Sequence, residues 1–206
     1  KDIEEHTKAF TKSCKNIQWG AVKRIFPTNA EPNFVEGKWN LENDNVLESI
    51  KGNFEIKNIN EWNYEIIYSA YKYIDTSHAM LIHADGYVIG PTLWNDEWLG
   101  YDYIGAPWPL PRDDYSYRNE NGEIERVGNS VSLRSKKLMD LVATREWKSY
   151  HGNTNEDGFI CCHNRKWLES QGCKFAPLDV AKYFSKEHVI PENKDLDTFA
   201  FHTVDI

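Results

Sequence analysis

Three polar groups in this sequence stand where chemistry could be done: Asp85, the run Asn155-Glu156-Asp157, and His202. A carboxylate oxygen, a pair of neighbouring acids and an imidazole can together hold a divalent cation and supply a general base. Each also has an ordinary reading. Acids in the first turn of a helix complement its dipole, by about 0.3 to 1 kcal/mol at an exposed surface, which accounts for Glu156 and Asp157 without catalysis. A single histidine is more often a core or surface residue than a ligand. Asp85-Gly86 alone is a turn signal. The framework that carries these residues has to decide.

Asp85 follows Ala79-Met-Leu-Ile82, an apolar run without polar alternation, which suits a strand covered on both faces in a mostly parallel sheet. Ligands of such sheets gather beyond the carboxyl ends of the strands. The strand would therefore deliver Asp85 to a site, and Gly86, lacking a side chain, would let a backbone or a phosphate come close. Upstream, the spacing predicts an amphipathic helix from Asp2 to Ile17 and a short strand from Ala21 to Phe26. A turn-rich stretch follows from Asn29 to Asn45, then a half-buried strand from Phe54 to Ile59, where apolar and polar residues alternate. Asn60 is placed to cap a helix from Glu61 to about Ile74.

Downstream, Leu93 to Leu99 reads as a short helix with Trp94 and Trp98 on one side, and Tyr103 to Trp108 as a strand. Pro109 to Glu125 is long, polar and aperiodic, the pattern of a mobile lid that extends to about residue 126. Val127 to Leu133 restores a strand, Ser135 caps a helix, and Gly152 to Asn155 is a turn. Asn155 then caps a helix running to Gln171 and ended by Gly172. Lys174 to Pro177 is a further short strand, and the alternation of Phe199 to Thr203 sets His202 on the face opposite Phe199 and Phe201. Together these predict a single α/β domain over residues 1–206, and because the chain opens on a helix, a first strand is expected upstream of Lys1.

Composition narrows the class. Forty per cent hydrophobic residues can form a packed core, and 32 acids against 24 Lys and Arg give a net charge of −8, which disfavours a nucleic-acid partner. A nucleotide remains compatible if a cation bridges its phosphates to protein carboxylates. Four cysteines without a framework of spacings fit buried thiols and a reducing compartment, and Cys161-Cys162-His163 lacks the partner spacing of a zinc site. No apolar stretch approaches the roughly 20 residues that cross a bilayer.

A set of motifs adds to this reading. His83-Ala-Asp-Gly-Tyr-Val88, Tyr101-Asp-Tyr-Ile-Gly-Ala-Pro-Trp108, Val127-Gly-Asn129 with Ser132-Leu-Arg134, Asn155-Glu-Asp157, Lys174-Phe-Ala-Pro-Leu178 and Phe199-Ala-Phe-His202 resemble, in this order, GT-A-type glycosyltransferases, especially those encoded by large chlorella viruses. The resemblance implies a Rossmann-like, GT-A-like fold with a central mostly parallel mixed sheet flanked by helices. It implies a nucleotide-sugar donor, expected to be a UDP-sugar, a glycan acceptor, Mn²⁺ or Mg²⁺, and a monomer in the cytoplasm of an infected cell. By the same likeness His83, Ala84, Asp85 and Gly86 contact the donor and Asp85 holds the metal. Ala84-Asp85-Gly86 offers one carboxylate where the family's DxD motif has two, so His202 becomes the second protein ligand. Asp157, with Glu156 beside it, is the catalytic carboxylate, either deprotonating the acceptor hydroxyl with inversion or orienting the sugars in a retaining route, and Trp108, Asn129, Arg134 and Asn155 meet the acceptor or the sugar. Two other classes stay open on the sequence: a non-catalytic carbohydrate- or nucleotide-sugar-binding module on this fold, and a sugar-nucleotide hydrolase.

Overall fold

The computed structural model of the chain describes residues 3–147 and 155–203. Among these, helices and three small sheets give an α/β architecture. Helix α1 (Ile3–Cys14) lays Phe10 and Cys14 against Val22 and Leu47. Those two residues belong to the first sheet, in which β3 (Val46–Lys51) pairs parallel with β1 (Val22–Phe26) and antiparallel with β2 (Gly37–Asn40). The half-buried strand expected at Phe54 to Ile59 is absent, and strands lie instead at β2 and β3. Phe54 and Ile56 do face inward by turns, but their segment meets the chain through Thr28 N–H to the Phe54 carbonyl and through the Asn29 side chain, not through a ladder.

Helix α2 (Ile59–Tyr68) starts two residues earlier than the Asn60 cap implies: Asn58 accepts from the backbone of Asn60 and Glu61. A 3₁₀ turn, Ala70–Tyr73, closes it. The second sheet has the order β4 (His78–Leu81), β6 (Val127–Ser135), β5 (Tyr103–Pro107) and is antiparallel throughout. The apolar run that ends near Asp85 is therefore an edge strand, partly buried along its length, and not the middle of a mostly parallel sheet. The strands buried on both faces are β5 and the central β6. Tyr103 of β5 points to a core built from α2, α3 (Lys136–Val142) and α5 (Arg165–Ser170), whereas Ile104 points to a second core containing Trp98, Phe184 and Phe199. Ser135 caps α3 as expected, accepting from Leu138 N–H.

The helix expected from Asn155 to Gln171 is three pieces: α4 (Glu156–Gly158), a π turn at Phe159–His163, and α5. Asn164 N–H reaches back five residues to the Phe159 carbonyl, which is the wide turn that makes room for one extra residue. Gly172, at φ 76°, ends α5 where a side chain would be strained. Helix α6 (Leu178–Phe184) leads into β7 (Ser185–Lys186), which pairs parallel with β8 (Ala200–Phe201). Residues 109–125, expected as a lid, fold back at a turn in which Asn119 N–H bonds the Glu123 carbonyl and Glu125 N–H the Tyr117 carbonyl, and Arg165 and Lys166 pair with Glu125 and Glu123. The turn expected at residues 152–154 and the helix start at Asp2 lie outside the described residues.

Candidate functional site

The site is assembled where the segment after β4 meets β8. His83 and Gly86 close a tight turn, with His83 N–H donating to the Gly86 carbonyl at 2.7 Å and Gly86 N–H to the His83 carbonyl at 3.2 Å. Ala84 and Asp85 occupy its two corner positions. The chain then runs antiparallel to β8: Phe201 N–H bonds the Tyr87 carbonyl and Thr203 N–H the Asp85 carbonyl, at 3.2 and 2.9 Å. His202 is thereby set opposite Gly86. A Cβ at Gly86 would lie 2.7 Å from His202 Cδ2 and 2.5 Å from Val131 Cγ2, so the glycine is required by the imidazole and valine packed on it. The close approach that the sequence reserved for a phosphate is taken by the protein's own ring.

The outcome is a cluster. One ligand atom each from His83, Asp85 and His202 can be chosen so that all lie within 4.8 Å of one another. His202 Nε2 is 3.9 Å from Asp85 Oδ1, and the His83 ring stacks on that of His202 with centroids 5.1 Å apart. Trp62 of α2 also packs on His83, with ring centroids 5.2 Å apart. Burial, followed by the neighbouring His202, pulls the His83 pKa down to about 4, which keeps its ring neutral and its lone pair available at neutral pH. His83 Nε2 is buried without a hydrogen-bond partner. Expected as a donor contact, His83 is thus placed as a third candidate ligand beside Asp85 and His202.

Behind His202 stands Glu187, a residue the sequence reading passed over. The parallel pairing of β7 with β8 sets the residues that follow them side by side, and Glu187 Oε1 comes 3.6 Å from His202 Nδ1. Burial works to raise the Glu187 carboxyl, yet hydrogen bonds from His202 and Asn129 outweigh it and hold the pKa below the ordinary value. Asn129 is fully buried at φ 84°, with its side-chain oxygen accepting from Val131 N–H at 2.7 Å and its amide nitrogen 3.3 Å from His202 Nδ1. Its backbone carbonyl accepts from the Tyr103 hydroxyl. Expected to meet the acceptor or sugar, Asn129 instead holds the imidazole. No sequence signal marks Glu187, because its role exists only through the pairing of two short strands.

The two acids of α4 separate in character. Glu156 is fully buried and pairs with Arg134 Nη2 at 2.9 Å, while Arg134 Nε bonds Ser132 Oγ and its guanidinium lies over the Tyr103 ring. Both members of the pair are buried to 1% exposure, which makes them structural before anything else. Asp157 is only half-buried, and its carboxyl is raised from 3.8 to about 7 by desolvation, then by the charges of Glu156 and Glu187, against the opposing Gly158 N–H bond and Arg134. A carboxyl near 7 is suited to taking a proton at neutral pH. Asp157 and Glu187, the acid behind His202, are near enough for their charges to act on each other.

Other expected contacts fall elsewhere. Trp108 is 4% exposed, stacks on Tyr117 and lies where a Cβ on Gly128 would be, at 1.9 Å, so it is a core ring. Trp94 and Trp98 pack edge-on to each other and against Phe199. Asn155 is exposed and makes no side-chain cap, although its carbonyl accepts from Phe159 N–H. The four cysteines are buried and free, and Cys161 and Cys162 belong to the core beneath the π turn. No helix among the described residues is long and apolar enough to cross a membrane. Comparison with curated proteins and with solved structures gives no match. The family described as "Protein of unknown function (DUF5672)" matches residues 45–202, a span that holds every member of the cluster. Since the match covers well over half of its 206 residues, the chain belongs to the DUF5672 family.

Proposed function

We propose that this chain is a metal-assisted glycosyltransferase, moving a hexosyl or deoxyhexosyl group from a nucleotide sugar, in the first instance a UDP-sugar, to a hydroxyl of a glycan acceptor. The observation that carries the reading is the meeting of two imidazoles and a carboxylate within 4.8 Å, with a further acid, Asp157, whose pKa is raised to about 7 in part by the charge of Glu187 behind His202. That donor set fits a divalent ion: Asp85 brings charge, the His83 and His202 rings bring lone pairs, and the buried, unpartnered His83 Nε2 is an atom a cation would satisfy. A bound ion would supply positive charge against the diphosphate leaving group.

The remaining steps belong to the chain's own residues. Gly158 N–H, at 2.7 Å from Asp157 Oδ1, fixes one carboxylate oxygen and leaves the other to take the proton of the acceptor hydroxyl. Glu156, held in place by Arg134, raises the proton affinity of Asp157 through its negative charge, and Arg134 works against it. Direct attack by a hydroxyl activated in this way inverts the anomeric carbon.

The test is a panel of nucleotide sugars with Mn²⁺, following nucleoside diphosphate release with and without oligosaccharide acceptors. Release that rises with acceptor, and a product of inverted configuration by NMR, is the expected result. Binding without release from any donor would replace the proposal by a non-catalytic module, and release that no acceptor accelerates would replace it by a hydrolase.

A further inference from the structure

We propose that His83 is a metal ligand and that, with it, the site prefers a first-row transition-metal ion to Mg²⁺; this rests on the metal-assisted reading of the same site and narrows it. Ligands about 2.1 Å from one ion lie roughly 3 to 3.5 Å apart in octahedral or tetrahedral shells, so the 4.8 Å span of the three atoms closes with small side-chain rotations. Both imidazoles are braced for such a role. His83 packs against Trp62 and His202, at 5.2 and 5.1 Å, and its Nε2 is buried with nothing to bond.

His202 has two hydrogen-bonding states. When Nδ1 accepts from Asn129, Nε2 carries the proton towards Asp85; when Nδ1 donates to Glu187, Nε2 presents a lone pair towards Asp85. The second state is the carboxylate–imidazole arrangement that supports metal-bound histidines. Asn129 cannot turn over, because its oxygen is committed to Val131 N–H, so its amide supports the first state, and an ion on Nε2 would have to draw the Nδ1 proton towards Glu187. Two imidazoles and one carboxylate make a nitrogen-rich set, and imidazole suits transition ions, whereas Mg²⁺ keeps oxygen ligands and an undistorted octahedron.

Calorimetry of the whole chain with Mn²⁺, Co²⁺ and Mg²⁺ alone, without donor, tests this. Co²⁺ and Mn²⁺ should bind at least about tenfold tighter than Mg²⁺, and His83→Gln should bring the three within a few-fold of one another, by analogy with the 10- to 100-fold effects of lesser changes around metal-bound histidines. A second readout needs no variant: substoichiometric Mn²⁺ added to the ¹⁵N-histidine-labelled chain should broaden the ring signals of both His83 and His202. Equal affinity for Mg²⁺ and Co²⁺ in the parent, or a His83 signal that stays sharp while that of His202 broadens, overturns the proposal. Neither result bears on glycosyl transfer, which stands or falls on the donor panel.

Discussion

Replacing Asp157 by Asn should make the protein more stable and less active at once. Its carboxyl is held at about 7 against an ordinary 3.8, so the folded state binds its proton more tightly than the unfolded chain does. Below pH 3.8 both states are protonated and the residue does not disfavour folding. Between pH 4 and 7 the unfolded chain loses the proton first, and stability falls as pH rises through the folded-state value. Three units correspond to about 4 kcal/mol at most. Asn keeps the size and an oxygen for the Gly158 N–H, but carries no charge to desolvate or to be repelled by Glu156 and Glu187. At pH 8 the variant should therefore gain about 1 to 4 kcal/mol over the parent, raising Tm by roughly 2 to 4 °C per kcal/mol. Near pH 4 the two should melt together. Transfer should fall by about a hundredfold or more, the least a positioned base contributes. Urea unfolding at pH 4, 6 and 8, paired with a transfer assay, decides the matter. A variant less stable than the parent at pH 8 would show that the charged form is an anchor, and the argument for a base would be lost.

Three further outcomes follow from the geometry. Glu156→Gln leaves Arg134 charged and buried without its partner and should cost about 3 to 5 kcal/mol by urea unfolding; a loss under about 1 kcal/mol would mean the pair is not desolvated as described. Gly86→Ala drives a methyl group into His202 and Val131 and should weaken Mn²⁺ binding by at least about tenfold in calorimetry while the near-UV spectrum stays native. Trp108→Ala should cost about 3 to 5 kcal/mol as a core cavity, with donor affinity of the folded protein unchanged; a specific loss of donor affinity would restore it as a sugar platform.

How much of this was legible beforehand depended on whether a residue's partner lay nearby in sequence. The elements α1, β1, β5, β6 and α3 follow from periodicity and caps that sit within a few residues of one another. The strand β3 was hidden because its buried face carries Ser49, whose hydroxyl accepts from Arg24 on β1, so half of its inward pattern looks polar. The run Tyr101 to Trp108 is the longest of the motifs, and the structure explains much of it by packing. Asp102 accepts from Ser135 and from Lys174 N–H, and a Cβ on Gly105 would strike the Gly128 carbonyl. Asp85, Asp157 and His202 were recognisable as polar residues at element ends. The ion pair that removes Glu156 from consideration, and the strand pairing that brings Glu187 to His202, are long-range facts with no local trace.

The ladder that seats His202 over Gly86 also sets a timetable for the nascent chain. His83 and Asp85 leave the ribosome about 120 residues before His202, some 6 to 24 s earlier at roughly 5 to 20 residues per second. Throughout that interval the polypeptide holds one imidazole and one carboxylate, a weak chelate with nothing to brace it. On the proposed metal site, three-ligand binding of a cation would wait until β8 has threaded between β7 and the Asp85 turn. A bound ion would then act as a latch on a finished fold, stabilising complete molecules and giving no advantage to fragments that stop short of residue 202.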